Sequence, residues 1–135
     1  MRAILDTNIF VSCLLGGKLE AILDSLKAGR FTIVVSDDIV SEYNEVLRRP
    51  KFGFTEADVD DVMAFIFNNA EFVVPSETFM AIPADPDDNK FIDAAVAGSI
   101  ELIVSGDKHL LELASFRGSR VVSANAFLKL LKLLN

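Results

Sequence analysis

Four acids in this chain occupy positions from which their carboxylates can meet. Asp6 ends the short apolar run Ala3-Ile4-Leu5, and Asp107 follows a second run, Leu102-Ile103-Val104-Ser105-Gly106. Each run has the length of a fully buried strand. Open α/β sheets place their ligands just beyond the carboxyl ends of their strands, so two acids there face one crevice. Either acid alone reads as well as a helix cap; the pair is what points to a site. Helical geometry selects two more. From Asp37 to Leu47 the residues Ile39, Val40, Tyr43, Val46 and Leu47 form one apolar stripe. Glu42 lies at the border of that stripe and can lean into a crevice, whereas Glu45 lies on the outer, solvated face. In Asp85-Pro86-Asp87-Asp88-Asn89-Lys90-Phe91-Ile92-Asp93, Asp88 precedes Phe91 and Ile92 by three and four residues. It therefore sits over the buried face at a helix N-terminus, where the dipole favours negative charge. Asp85 and Asp87 are secondary candidates behind it; Asp93 falls on the opposite, solvent side and is a weaker candidate, and the acidic loop by itself also reads as helix capping.

Bare carboxylates crowded together repel, by about 4 kcal/mol for a pair ~4 Å apart at an effective dielectric near 20. Either some are protonated or a cation balances them. Oxygen donors without His or Cys suit Mg²⁺ or Mn²⁺, one or two ions. Such a centre favours transfer of a phosphoryl group to water. Asn8 and Ser105 can position water or a phosphate oxygen, and Thr7 can do so through its hydroxyl or backbone N–H.

The elements that must carry these residues alternate. Strands are expected at Ala3–Leu5, Phe31–Val35, Glu71–Val74, Leu102–Val104 and Arg120–Val122. Helices are expected at Asn8–Leu15, Lys18–Ala28, from the Ser36 cap to Arg49, from the Thr55-Glu56-Ala57-Asp58 capping box to Asn69, and at Asp88–Ser99. A short helix follows Asp107, and Ser123 caps a closing one. This alternation predicts a three-layer α/β/α fold with five strands in a mainly parallel sheet.

At 135 residues and 51% hydrophobic, the chain suits a single domain over 1–135 with a sizeable core. No apolar stretch reaches the ~18 residues of a membrane span, and no secretion-signal pattern opens the chain, so the expected location is the cytoplasm. The lone cysteine, Cys13, among Val11, Leu14 and Leu15, reads as a buried apolar side chain. A net charge of −7 argues against coating nucleic acid through a broad basic surface. It leaves room for an enzyme that grips a phosphodiester locally through metal ions.

Asp6-Thr7-Asn8, the Ser36-x5-Glu42 helix, Asp85-Pro86-Asp87-Asp88-Asn89-Lys90-Phe91 and Ser105-Gly106-Asp107-Lys108 together resemble a PIN domain, over nearly the whole chain. The branch they resemble holds toxin components of toxin–antitoxin systems, relatives of the VapC toxins. The resemblance implies a metal-dependent endoribonuclease with strand order 3-2-1-4-5. It implies that Asp6, Glu42, Asp88 and Asp107 hold one or two Mg²⁺ or Mn²⁺ ions. It further implies an antitoxin partner, for which a flexible basic segment suits the acidic crevice, and a homodimer is expected from the commonest subunit symmetry. Single-stranded or loop RNA is the expected substrate, because its backbone can bend into a narrow crevice.

Two other classes compete. A haloacid-dehalogenase-like phosphatase has a second Asp two residues after the first, where this chain has Asn8. A non-catalytic RNA- or protein-binding regulatory module on the same fold is separated from a nuclease by metal-dependent cleavage. His109, the only histidine, reads as an exposed residue of a short helix. Arg48, Arg49 and Lys51 fit both a solvated helix end and a guide for RNA. Phe65, Phe67, Phe127 and the leucines from Leu128 to Leu134 read mostly as core, with part of the last helix free for a partner or a second subunit.

Overall fold

The computed structural model describes residues 1–133. Strands β1 (Arg2–Leu5), β2 (Thr32–Val35), β3 (Glu71–Phe72), β4 (Leu102–Val104), β5 (Ser115–Phe116) and β6 (Ser119–Val122) form one sheet in the order β3-β2-β1-β4-β6-β5. Helices α1 (Thr7–Leu15), α2 (Glu20–Lys27), α3 (Asp37–Leu47), α4 (Glu56–Asn69), α5 (Asn89–Gly98), α6 (Lys108–Leu113) and α7 (Ala124–Lys132) flank it. Five strands pair in parallel, and in the order expected of them. The sixth, β5, is an addition: it pairs antiparallel with β6 across a tight turn in which Arg117 and Gly118 both have positive φ. Two residues are too few for an alternating pattern, so this edge hairpin leaves no periodic trace.

Parallel strands with both faces covered are made of continuous apolar runs. That is why Ala3, Ile4, Ile33, Val34, Val35, Ile103 and Val104 are completely buried. The edge strand β3 is shorter than the expected Glu71–Val74, although the Val73 N–H still reaches the Val35 carbonyl at 2.9 Å. Helix ends shift by a residue or two. The α2 segment opens with a 3-10 turn, Gly17–Leu19, and α5 with another, Pro86–Asp88. The α3 helix stops at Leu47, before Pro50.

Aromatic contacts tie the helices to one another and to the sheet. Tyr43 of α3 is wholly buried, stacks on Phe10 of α1 at 4.2 Å between centroids, and donates its hydroxyl proton to the Leu5 carbonyl. Phe127 of α7 meets Phe31 edge-on at 5.0 Å. Cys13 is buried as expected, and desolvation pushes its thiol up to about 12. Phe67 departs from the core reading. It is 63% exposed and stacks on Phe72 of the edge strand. Leu133 is exposed, and Leu134 lies outside the described residues.

Tyr43→Phe keeps the ring stack but removes the donor to Leu5. It is expected to cost about 1 kcal/mol, read as a lower urea midpoint with an unchanged m-value. A loss near zero would show that the Leu5 carbonyl finds another partner.

Candidate metal centre

The crevice beyond the strand ends has a volume of about 390 Å³ and is walled by Asp6, Glu42, Asp85, Asp87, Asp88 and Asp107, with Thr7, Asn8, Arg49 and Phe91 between them. Two somewhat larger grooves lie beside α2 and α7, lined mainly by alanine, leucine and basic residues, with Asp24 the one acid between them. The converging acids are in the smaller one.

Asp6 leaves β1 and caps α1. Its N–H still donates to the Val104 carbonyl of β4 at 3.0 Å, while Oδ1 accepts the Ile9 N–H at 2.8 Å. Oδ2 accepts the Ser105 hydroxyl. Only 4% of Asp6 is exposed, so burial raises its pKa, partly offset by the bonds from Ser105 and Ile9 and reinforced by Asp107 and Glu42. Asp107 repeats the arrangement at β4: it caps α6, with Oδ1 accepting the His109 and Leu110 N–H groups at 2.9 and 3.1 Å. Ser105 joins the two acids, because its Oγ also accepts the Asp107 N–H at 2.9 Å.

Glu42 projects from the border of α3, as the helical stripe requires. Both oxygens are engaged: Oε2 accepts the Thr7 hydroxyl, and Oε1 lies 2.9 Å from Lys90 Nζ. Glu45 points outward and makes only a loose, 3.8 Å contact with Arg49.

Asp88 ends the 3-10 turn before α5. Asn89, 3% exposed, fixes that turn by accepting the Ile82 N–H at 2.9 Å and donating to the Ile82 and Pro86 carbonyls, both at 3.3 Å. Carboxylate oxygens of Asp85, Asp88 and Asp107 lie within 4.8 Å of one another. Asp88 Oδ2 is buried with no hydrogen-bond partner. Burial first, then repulsion from Asp107 and Asp85, pushes the Asp88 carboxyl up to about 8. A buried, unpartnered carboxylate oxygen beside two others is what a hard divalent cation fits.

The auxiliary residues divide. Asn8 is exposed to the crevice. The Thr7 and Ser105 hydroxyl protons are committed to carboxylates, so neither is left to donate to a phosphate oxygen; both orient acids instead. Asp85 moves from a secondary candidate into the acid cluster. Asp93 stays out of the crevice, where its Oδ1 accepts the Phe79 N–H at 2.8 Å and holds the loop before α5. It is half-buried rather than solvated, which raises its pKa. His109 is likewise partly buried in the first turn of α6. Lys90 and Asn89 were not singled out by sequence reasoning, although both fall within the acidic motif.

A family model described as the PIN domain matches residues 2–109, a span that holds every acid of the crevice. The chain belongs to the PIN domain family. Among relatives of this PIN-domain protein, the uncharacterized protein MJ1680 of Methanocaldococcus jannaschii is 27% identical over 117 residues, covering 84% of this chain and 75% of its own. Two solved structures share the fold. PAE2754 from Pyrobaculum aerophilum has a TM-score of 0.66 at 11% identity, over 98% of this chain and 96% of that one. VapBC2 from Rickettsia felis, bound to a DNA fragment from their promoter, has a TM-score of 0.58 at 15% identity, over 91% and 98%.

The Asp88 shift sets a pH dependence for the metal-free PIN domain. The folded state keeps that proton up to about pH 8, whereas the unfolded chain loses it near 3.8. Between these values the folded state binds more protons, so stability falls as pH rises. Asp6 acts in the same direction. Solvent screening limits the gain from Asp88→Asn to about 1 kcal/mol, equivalent to roughly 4 °C in Tm. Thermal scans in EDTA at pH 5 and pH 8 should show the wild type losing stability between them and the variant losing less. A wild type that gains stability over that interval would contradict the assignment.

Proposed function

We propose that this PIN-domain protein is a Mg²⁺- or Mn²⁺-dependent endoribonuclease, the toxin of a toxin–antitoxin pair acting in the cytoplasm. The observation that carries the reading is the unpartnered Asp88 Oδ2 beside Asp85 and Asp107, inside a crevice completed by Asp6 and Glu42. Asp6, Glu42, Asp88 and Asp107 are the residues suited to hold the cation, with Asp85 beside Asp88 and Asp107. When bound, it lowers the pKa of water, neutralises the phosphate and stabilises the leaving oxygen.

The chain's own residues do the rest. Asp6, held by Ser105 and the Ile9 N–H, keeps a fixed orientation toward the crevice. Asn8 presents an amide that can orient a phosphate oxygen, and Arg49, at the wall, can pair with a neighbouring phosphate. Near the end of α3, Arg48 is engaged with Asp60 at 3.2 Å, which leaves Arg49 the better placed of the two for RNA. An acidic protein with one narrow crevice favours flexible single-stranded or loop RNA over rigid duplex.

The toxin reading draws on the resemblance to VapC toxins and on the shared fold of VapBC2. A partner with a flexible basic segment complements the carboxylates of the crevice and competes with the cation. A two-fold homodimer remains part of the proposal.

Purified protein should cleave single-stranded RNA, lose activity in EDTA and regain it with Mn²⁺. Asp6→Asn and Asp88→Asn should each reduce the rate at least about a hundredfold, while Glu45→Gln stays within about twofold of wild type. Full activity in both Asp variants, or cleavage that survives chelation, would overturn the reading. A duplex of the same sequence cut at the single-strand rate would refute the substrate preference alone.

A further inference from the structure

The cations of this acidic domain gather away from the crevice. The two grooves beside α2 and α7, of about 460 and 420 Å³, share Ala21, Leu128 and Lys132 and so form one continuous trough. Lys18, in the turn that opens α2, and Arg30, just beyond its end, stand on one side. Lys129 and Lys132, three positions apart on one face of α7, stand on the other. Four of the chain's 13 cations therefore line the trough, against one of its 20 acids, Asp24. All four are exposed. Among the described residues none of them is in an ion pair, whereas Arg2, Arg48, Arg49 and Lys90 each hold an acid. With a net charge of −7, acids outnumber cations over the rest of the chain, so a strip of unpaired cations is a local field for an anion from outside.

The topology leads this trough to the crevice. β6 runs parallel to β4 with Val122 beside Val104, so α7 starts at the carboxyl end of the sheet, as Asp6 and Asp107 do. In the order β1-β4-β6 that start lies two strand spacings, about 10 Å, from the end of β1. Asn125, in the first turn of α7, lines the near end of the trough. Arg30 precedes β2, at the amino end of the strands, and lines the far end. Small residues, Ala21, Ser25 and Ala28, lie between the cations, and none of the exposed large hydrophobic residues lines the trough. A protein partner would lack the large apolar anchors that carry most interfaces, whereas a phosphate backbone needs only charge and room.

We propose that the trough holds the phosphate backbone of single-stranded RNA flanking the bond at the crevice, through Lys18, Arg30, Lys129 and Lys132. The proposal rests on the RNA-cleaving reading above and assigns a place to the part of the strand outside the crevice. Phosphate contacts position a strand without reading its bases, so the trough takes strands of any sequence. The separation of charge suits both tasks: the acids face the metal ion at one place and the cations face the strand at another, and neither set neutralises the other.

The test is the binding of an end-labelled single-stranded RNA of about 12 nucleotides to the full chain in EDTA, read by fluorescence anisotropy over a series of KCl concentrations. Without a metal ion the acidic crevice offers the RNA no attraction, and the measurement needs no cleavage. Lys129→Gln/Lys132→Gln and Lys18→Gln/Arg30→Gln should each weaken binding at least about fivefold and flatten the slope of log affinity against log salt by about 1.4, the change for two phosphates. Lys27→Gln/Arg120→Gln removes the same charge from exposed positions outside the trough, and should stay within about twofold of wild type with the slope kept. Lys129→Arg/Lys132→Arg should bind as wild type does. Equal affinity and slope in the trough variants and the Lys27/Arg120 control would overturn the inference, as would a wild type that binds no RNA at low salt. A poly-glutamate peptide that loses binding in the trough variants while RNA does not would also overturn it, and give the trough to an acidic protein. Equal variants and the peptide result leave the nuclease reading intact; that reading fails separately, if bound RNA is not cleaved in Mn²⁺.

Discussion

Mutual repulsion among carboxylates at the strand ends is the constraint around which this PIN domain is organised. At separations near 4 Å each pair costs about 4 kcal/mol at a dielectric near 20, a large fraction of a domain's stability. The chain offsets that cost residue by residue. Asp6 and Asp107 each cap a helix, where backbone N–H groups and the positive end of the dipole face them. Ser105 bonds to both, and Glu42 has Thr7 and Lys90. Among the described residues, Asp88 has the one buried side-chain oxygen without a hydrogen-bond partner, and its carboxyl is pushed up to about 8.

The hydrophobic core and the crevice are one mechanical unit. Leu5 pairs in register with Val104, Asp6 extends that ladder by one bond to the Val104 carbonyl, and Ser105 donates its N–H to Val122 at 3.0 Å. The spacing between Asp6 and Ser105 is therefore that of a hydrogen-bonded sheet, and Asp107 is tied to it through Ser105. Tyr43 carries the same rigidity into α3. Its hydroxyl grips the carbonyl immediately before Asp6, and its neighbour in sequence is Glu42. A core aromatic thus holds the helical acid at a fixed distance from the strand acids.

Much of this was legible in the chain itself. Asp6 and Asp107 end apolar runs, Glu42 is picked out by a helical stripe, and Asp88 lies one turn before buried Phe91 and Ile92. Strand-end position and helical period are local signals, and residues governed by them could be read. What escaped depends on partners far away in sequence. Ser105 looked like a ligand-facing hydroxyl, but its partner is Asp6 across the sheet. Lys90 carries no sign of Glu42. Asp93 seemed solvated because the loop that covers it has no periodicity. The β5 strand is a consequence of turn geometry and of the edge offered by β6 rather than of any pattern in Ser115-Phe116.

The Ser105–Asp6 bond spans 99 residues and joins the central strand, made first, to a strand made much later. During synthesis β1 can find β2 early, but its other edge stays open until β4 has left the ribosome. At ~5–20 residues per second that interval lasts several seconds. Throughout it Asp6 has no Ser105, Asp107 does not yet exist, and the acid cluster cannot assemble. A nascent chain is thus without a complete acidic crevice until β4 and Asp107 have been made, so strand order fixes when the site can first bind a cation.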